Sequence, residues 1–160
     1  MAEMPVDDEE VQALWLRYCE AVGVDRSSLM AVESFGDGAE MADELLTLVL
    51  DGTKTATAGL LSDYAAAGEP LPQPGGHWIV LDGRGSPRCV LRTLEVRLGA
   101  LTSVDDAFAW DEGEGDRTRY SWLESHGRFF SRSREDAAAG FDEDVDVVVF
   151  ERFEVVWPRS

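Results

Sequence analysis

The chain has 160 residues, 44% of them apolar and 9% aromatic, enough to fill the core of one compact body. Fourteen basic residues stand against 32 acidic ones, a net charge of −18. This excludes a protein that coats nucleic acid or an anionic membrane by bulk electrostatics, because its mean field repels both.

No run of 18 apolar residues is present to span a bilayer, and Met1 to Glu10 is acidic where a signal peptide opens basic and then apolar. Cys19 and Cys89 have no CxxC spacing and no neighbouring His, so no metal motif is read and no disulfide is expected. The expectation is a soluble, cytoplasmic protein without metal or cofactor.

Asp8 to Val22 reads as a helix: Val11, Leu14, Trp15, Tyr18 and Val22 recur at helical spacing behind acidic residues, until Gly23 breaks the run. Asp37 and Glu40 form a capping-box pattern ahead of a second helix, whose apolar face is Met41, Leu45, Leu48 and Val49. Gly52 ends that helix where a positive φ is wanted, and Thr53 to Thr57 follows as a short strand or turn.

Leu60 to Ala67 is a short helix or loop, and Pro70, Pro72, Pro74 and Gly75-Gly76 make an extended loop. His77–Leu81 and Arg88–Arg97 are strands joined by a hairpin loop. Thr102 or Ser103 caps a helix over Asp105 to Ala109, Arg117 to Glu135 is helical, and Asp144 to Trp157 is a long strand. The order suggests a mixed sheet that can curl into a small barrel with helices at its ends.

Three features carry candidate chemistry. Of the 14 basic residues 13 are Arg, leaving Lys54 as the single Lys. A Lys retained where Arg otherwise serves suggests a position needing a compact ammonium that can lose its proton when desolvated; an exposed turn is the plain alternative. Thr57 close by could supply a nucleophilic alcohol, and the GxxxxGK[ST] spacing of a phosphate loop is missing.

Trp110-Asp111-Glu112-Gly113-Glu114-Gly115-Asp116 places four carboxylates around two glycines, either a solvated loop or a means of bringing one acid to a substrate. Arg117 to Arg134 carries five Arg and one Glu. Unrolled as a helix, Arg117, Arg128 and Arg132 fall on one face, opposite Trp122, Leu123, His126, Phe129 and Phe130. His126 is then a core or pocket-edge imidazole.

Glu33-Ser34-Phe35-Gly36-Asp37, Ala42 to Leu46 and Leu48 to Thr57 together resemble a bacterial branch of the ASCH domain family. Glu112 to Asp116 followed by Trp122, His126, Phe129 and Phe130 resembles the later half of the same pattern.

The resemblance implies an α+β, PUA-like fold, a small mixed β-barrel with flanking helices, over residues 33–160, with residues 1–32 as an N-terminal helical extension. It also implies a cleft for RNA or nucleosides. Similar members include an amidohydrolase that deacetylates N4-acetylcytidine and proteins reported to cut single-stranded RNA. Its G-x-K-x-x-T turn and later Glu match Lys54, Thr57 and Glu114 as catalytic residues, with Glu112 the competing match. Trp110, Glu112, His126, Arg117 and Arg128 are the residues expected to bind substrate.

The general family signature G-x-K-x-x-E-x-R differs here, because Thr57 and Gly59 stand at its Glu and Arg positions. The implied functions are deacylation of an N4-acylated cytidine or similar amide, or, alternatively, RNA binding or weak single-strand cleavage in the same cleft. The expected partner is a nucleoside or single-stranded RNA.

Overall fold

A computed structural model describes residues 5–133 and 141–159. The chain runs α1 (Asp8–Val22), β1 (Met30–Glu33), α2 (Ala39–Leu50), β2 (Ala56–Leu60), α3 (Leu61–Ala67), β3 (His77–Leu81) and β4 (Pro87–Ala100). A single 3-10 turn (Leu101–Ser103), α4 (Asp106–Glu112), α5 (Arg119–Ser133) and β5 (Val147–Trp157) follow. The strands are ordered β1-β3-β4-β5-β2, with β1 parallel to β3 and the β3–β4 and β2–β5 pairs antiparallel. This is a mixed α+β fold.

The chain folds as two interleaved compact units. The first takes residues 1–52, 74–94 and 153–160; the second takes 53–73 and 95–152. In the first unit the α1 stripe of Val11, Leu14, Trp15 and Tyr18 packs with Ile79 of β3 and Val90 of β4, as its periodicity requires. Asp7 caps this helix by accepting from the Glu10 N–H, and Gly23 closes it in the left-handed conformation. A second cluster sets Leu45, Leu46 and Val49 of α2 with Phe35, Trp78 and Phe153. In the second unit Ala56 and Leu60 of β2 share a core with Phe108, Trp122, Phe130, Val148 and Phe150.

Several local expectations differ from the fold. The Asp37–Glu40 capping box does not form: Gly38, at φ 99°, takes the cap position of α2 and no side chain caps it. Residues 53–55 are not strand, and β2 begins at Ala56. Neither Thr102 nor Ser103 caps α4, because Asp105 does so by accepting from the Phe108 N–H at 2.8 Å. β1 was not anticipated. Of the expected Arg117–Glu135 helix, Arg117 lies ahead of α5 in a loop, and Arg134 and Glu135 fall outside the described residues. Among the described residues no helix is long and apolar enough to cross a membrane.

Candidate active site

The site lies within the second unit and is built where the segment entering β2 meets the end of α4. Thr55 N–H donates to the Asp111 carbonyl at 2.7 Å, and Gly113 ends α4 in the left-handed conformation at φ 74°. A Cβ on Gly113 would sit 2.5 Å from the Thr53 carbonyl oxygen and 3.0 Å from the Lys54 Cα. Only glycine permits this approach, and it brings the two sequence motifs into backbone contact.

Lys54 is thereby carried inside. Its Nζ donates to the Ala56 carbonyl at 2.8 Å, to Glu112 Oε2 at 3.0 Å and to Glu114 Oε2 at 2.8 Å. The Lys54 and Glu112 side chains are each 1% exposed, whereas that of Glu114 is 34% exposed, so solvent reaches the cluster through Glu114. The two carboxylates come from positions 58 and 60 residues along the chain. A buried ammonium between two carboxylates is stable only when its donors are all used, which this geometry achieves.

His126 completes the cluster from α5. Its ring stacks on Trp122 at a centroid distance of 4.0 Å and 14° between planes. Nδ1 lies 3.0 Å from the Trp122 carbonyl oxygen, and Nε2 lies 3.3 Å from Glu112 Oε1.

These contacts order the charges. Burial alone would push Lys54 down, but Glu112 and then Glu114 outweigh it and hold the ammonium above its ordinary range. Burial would likewise raise Glu112, but Lys54 and then His126 hold its carboxyl well below the usual range. Glu114 goes the other way: burial, followed by its hydrogen bond with Glu112, pushes it up to about 7 against the pull of Lys54. His126 is raised, burial being outweighed by Glu112. The partly neutral Lys54 that the sequence reading requires is therefore replaced by a charged one, with the proton of intermediate affinity on a carboxyl group.

Carboxylate oxygens of Glu112 and Glu114 and a nitrogen of His126 lie within 4.8 Å of one another, the donor types a divalent ion takes. The Lys54 ammonium already occupies the place between the two carboxylates, so the cluster is closed around an internal cation.

Thr57 enters from β2, one residue past the carbonyl that Lys54 binds. Ala56, Ala58 and Leu60 face the core, so Thr57 points to the other side of the strand with its register partner Glu151. Glu151 is buried and was missed from the sequence. The available signal is a lone acid inside the apolar run Val147–Phe153. At Gly59, the family's Arg position, a Cβ would meet the Tyr64 ring at 3.5 Å, so the Tyr64 ring lies beside it.

Trp110 is 56% exposed and carries Arg117 on its face, with Cζ 3.7 Å from the ring centroid. Arg117 has a positive φ of 64°, and its guanidinium donates to the Trp110 and Thr53 carbonyls at 2.8 and 3.4 Å. It clamps the loop to the strand entry, which corrects its placement with Arg128 and Arg132 on a helix face. Arg128 stands outside the cluster, 65% exposed and paired with Glu124 one turn away.

Residues 31–157 match the ASCH domain family. The chain belongs to that family. An ASCH domain crystal structure from Lactobacillus crispatus JV V101 is similar at 30% identity with a TM-score of 0.83, covering 97% of both chains. A crystal structure of an Enterococcus faecalis V583 protein is similar at 34% identity and a TM-score of 0.84, covering 92% of this chain and 88% of the other. A search of curated proteins finds no match. The mixed sheet with flanking helices is that of ASCH and PUA-like structures, and ASCH domains are RNA-associated.

Proposed function

We propose that this ASCH protein hydrolyses the amide of an N4-acylated cytidine or a similar small acylated nucleoside, using Lys54, Thr57 and Glu114. The observation that carries the reading is the sealed Lys54 ammonium joined to one buried and one solvent-reachable carboxylate at the entry of the strand bearing Thr57. Such an arrangement places a fixed buried positive charge behind Glu114, whose solvent-reachable carboxylate can take the proton of the attacking hydroxyl. A neutral nucleoside also suits a chain of net charge −18 better than a polyanion does.

In this reading Thr57 Oγ attacks the acyl carbon while Lys54 stays charged throughout. Trp110, its inner face covered by Arg117, offers its outer face for stacking a planar base. The test is release of acetate from N4-acetylcytidine by the purified protein. Turnover is expected to fall by at least about 100-fold in Thr57→Ala and in Lys54→Arg, since a planar guanidinium cannot occupy a site shaped for three bonds from one ammonium. A folded parent that releases no acetate, or a Lys54→Arg variant as active as the parent, overturns the reading. A second activity, weak contact with single-stranded RNA, is favoured by the outward position of Arg128 and Arg132.

A further inference from the structure

The His126 ring has two nitrogens, and each faces an oxygen. Nδ1 lies 3.0 Å from the Trp122 carbonyl, a group that only accepts, so a bare lone pair there would be repelled and Nδ1 carries a proton. Ser125 Oγ, 3.4 Å from Nδ1, is itself directed at that same carbonyl. Nε2 lies 3.3 Å from Glu112 Oε1. The other oxygen of Glu112 takes a hydrogen bond from the Lys54 ammonium, which favours the ionised carboxylate, so Nε2 carries a proton as well. Stacking on Trp122 at 4.0 Å fixes the ring in this orientation.

We propose that His126 is a positioning residue, held as an imidazolium between the Trp122 carbonyl and Glu112, which fixes Glu112 as a permanent anion and leaves Glu114 to exchange the proton of the reaction. The use of that proton rests on the hydrolase reading; the charge assignment does not. Lys54 is held by three acceptors, and Glu112 Oε2 by Lys54. The buried Glu112 Oε1 makes no hydrogen bond and has the His126 Nε2 at 3.3 Å as its charge partner, while Glu114 is bound to Lys54 and open to solvent. The other charged groups on the surrounding elements are engaged elsewhere: Asp111 of α4 with Arg152 of β5 at 3.2 Å, and Arg117 with the Trp110 and Thr53 carbonyls. Glu151 of β5 lies opposite Thr57.

The proton then follows a closed path. As Thr57 Oγ bonds to the acyl carbon, its proton passes to the Glu114 carboxylate. When the C–N bond breaks, Glu114 gives that proton to the departing amine nitrogen. Water attacks the acyl-Thr57 ester, Glu114 takes one of its protons, and that proton returns to Thr57 Oγ as the ester bond breaks. One amide and one water become one carboxylic acid and one amine.

The experiment is NMR of the full chain, with imidazole nitrogen and glutamate carboxyl carbon signals followed from pH 5 to 9. His77 is the one other His, hydrogen-bonded to Tyr18, which simplifies assignment. His126 is expected to remain an imidazolium through neutrality, with Glu114 the site carboxyl titrating near pH 7 and Glu112 silent. His126→Gln keeps a donor but removes the charge, so the Glu114 midpoint and the acidic limb of the activity profile should move up together by about one pH unit.

A neutral His126 ring at pH 7 in the parent, a titrating Glu112, or an unmoved Glu114 midpoint in His126→Gln would overturn the proposal. The parent spectra decide it even if the variant fails to fold. The expected spectra in a protein that deacylates nothing would refute the hydrolase reading and the proton path, and leave the charge assignment standing.

Discussion

Of the two carboxylates that clasp Lys54, Glu112 is sealed beside His126, and Glu114 meets solvent at the rim. The difference gives them opposite effects on stability. Glu112, held below its ordinary range, stabilises the fold above the unfolded carboxylate value and loses that contribution as pH falls. Glu114, raised to about 7, favours the fold when protonated, and its contribution is lost as pH rises from the unfolded value through 7. Glu114→Gln should therefore melt higher than the parent at pH 8, with the gap closing towards pH 4.5; thermal melts across that range check it. An equal gap at both ends would show that Glu114 does not titrate in the folded protein.

Lys54 was legible because composition isolates it, and the apolar face of α5 placed His126 at a pocket edge. The choice between Glu112 and Glu114 was not legible: two residues apart across a glycine, both reach Lys54, and what separates them is burial and the contact with His126 from a later helix. The charge of Lys54 was also beyond the sequence, since it depends on partners 58 and 60 residues away.

At the level of elements, α4 acts through its last turn. Gly113 both ends the helix and lets the Thr53–Lys54 backbone come close, so Gly113→Ala meets an unfavourable φ and a backbone oxygen at 2.5 Å. A loss of at least about 2 kcal/mol in denaturant unfolding is expected, with activity falling further than stability because the strand entry that carries Lys54 is displaced. A neutral substitution here would show that the two motifs do not depend on this contact.

The long amphipathic helices were legible from periodicity, since each buries one face. β3 and β4, buried on both faces over Trp78–Leu81 and Cys89–Leu91, were legible as short apolar runs either side of a hairpin loop. β1 was not, because Met30–Glu33 is four residues long and is held by parallel pairing with β3, far along the chain. The capping box failed for a local reason: Gly38 adopts a backbone conformation open to glycine and takes the cap position from Asp37.

Across the whole molecule, the charge of −18 and the placement of the arginines limit how the protein meets RNA. Arg117 is engaged by the Trp110 ring and two backbone carbonyls, so Arg128 and Arg132 on the outer face of α5 are the pair to test. Arg128→Ala with Arg132→Ala should lower the dependence of log affinity for single-stranded RNA on log salt by about 1.4, two contacts at about 0.7 each, without changing nucleoside turnover. Tight binding that survives this double change would put the phosphate contacts elsewhere.

The interleaving of the two units also bears on synthesis. The first unit draws on residues 1–52, 74–94 and 153–160, and the second on 53–73 and 95–152. A nascent chain leaving the ribosome therefore has α1 and α2 early, yet must hold their apolar faces unsatisfied until β3 and β4 emerge, with Phe153 of β5 completing the α2 cluster last. Neither unit can be excised as one contiguous fragment, so a stalled or prematurely terminated product would expose sticky surface and be an early substrate for chaperones and proteases.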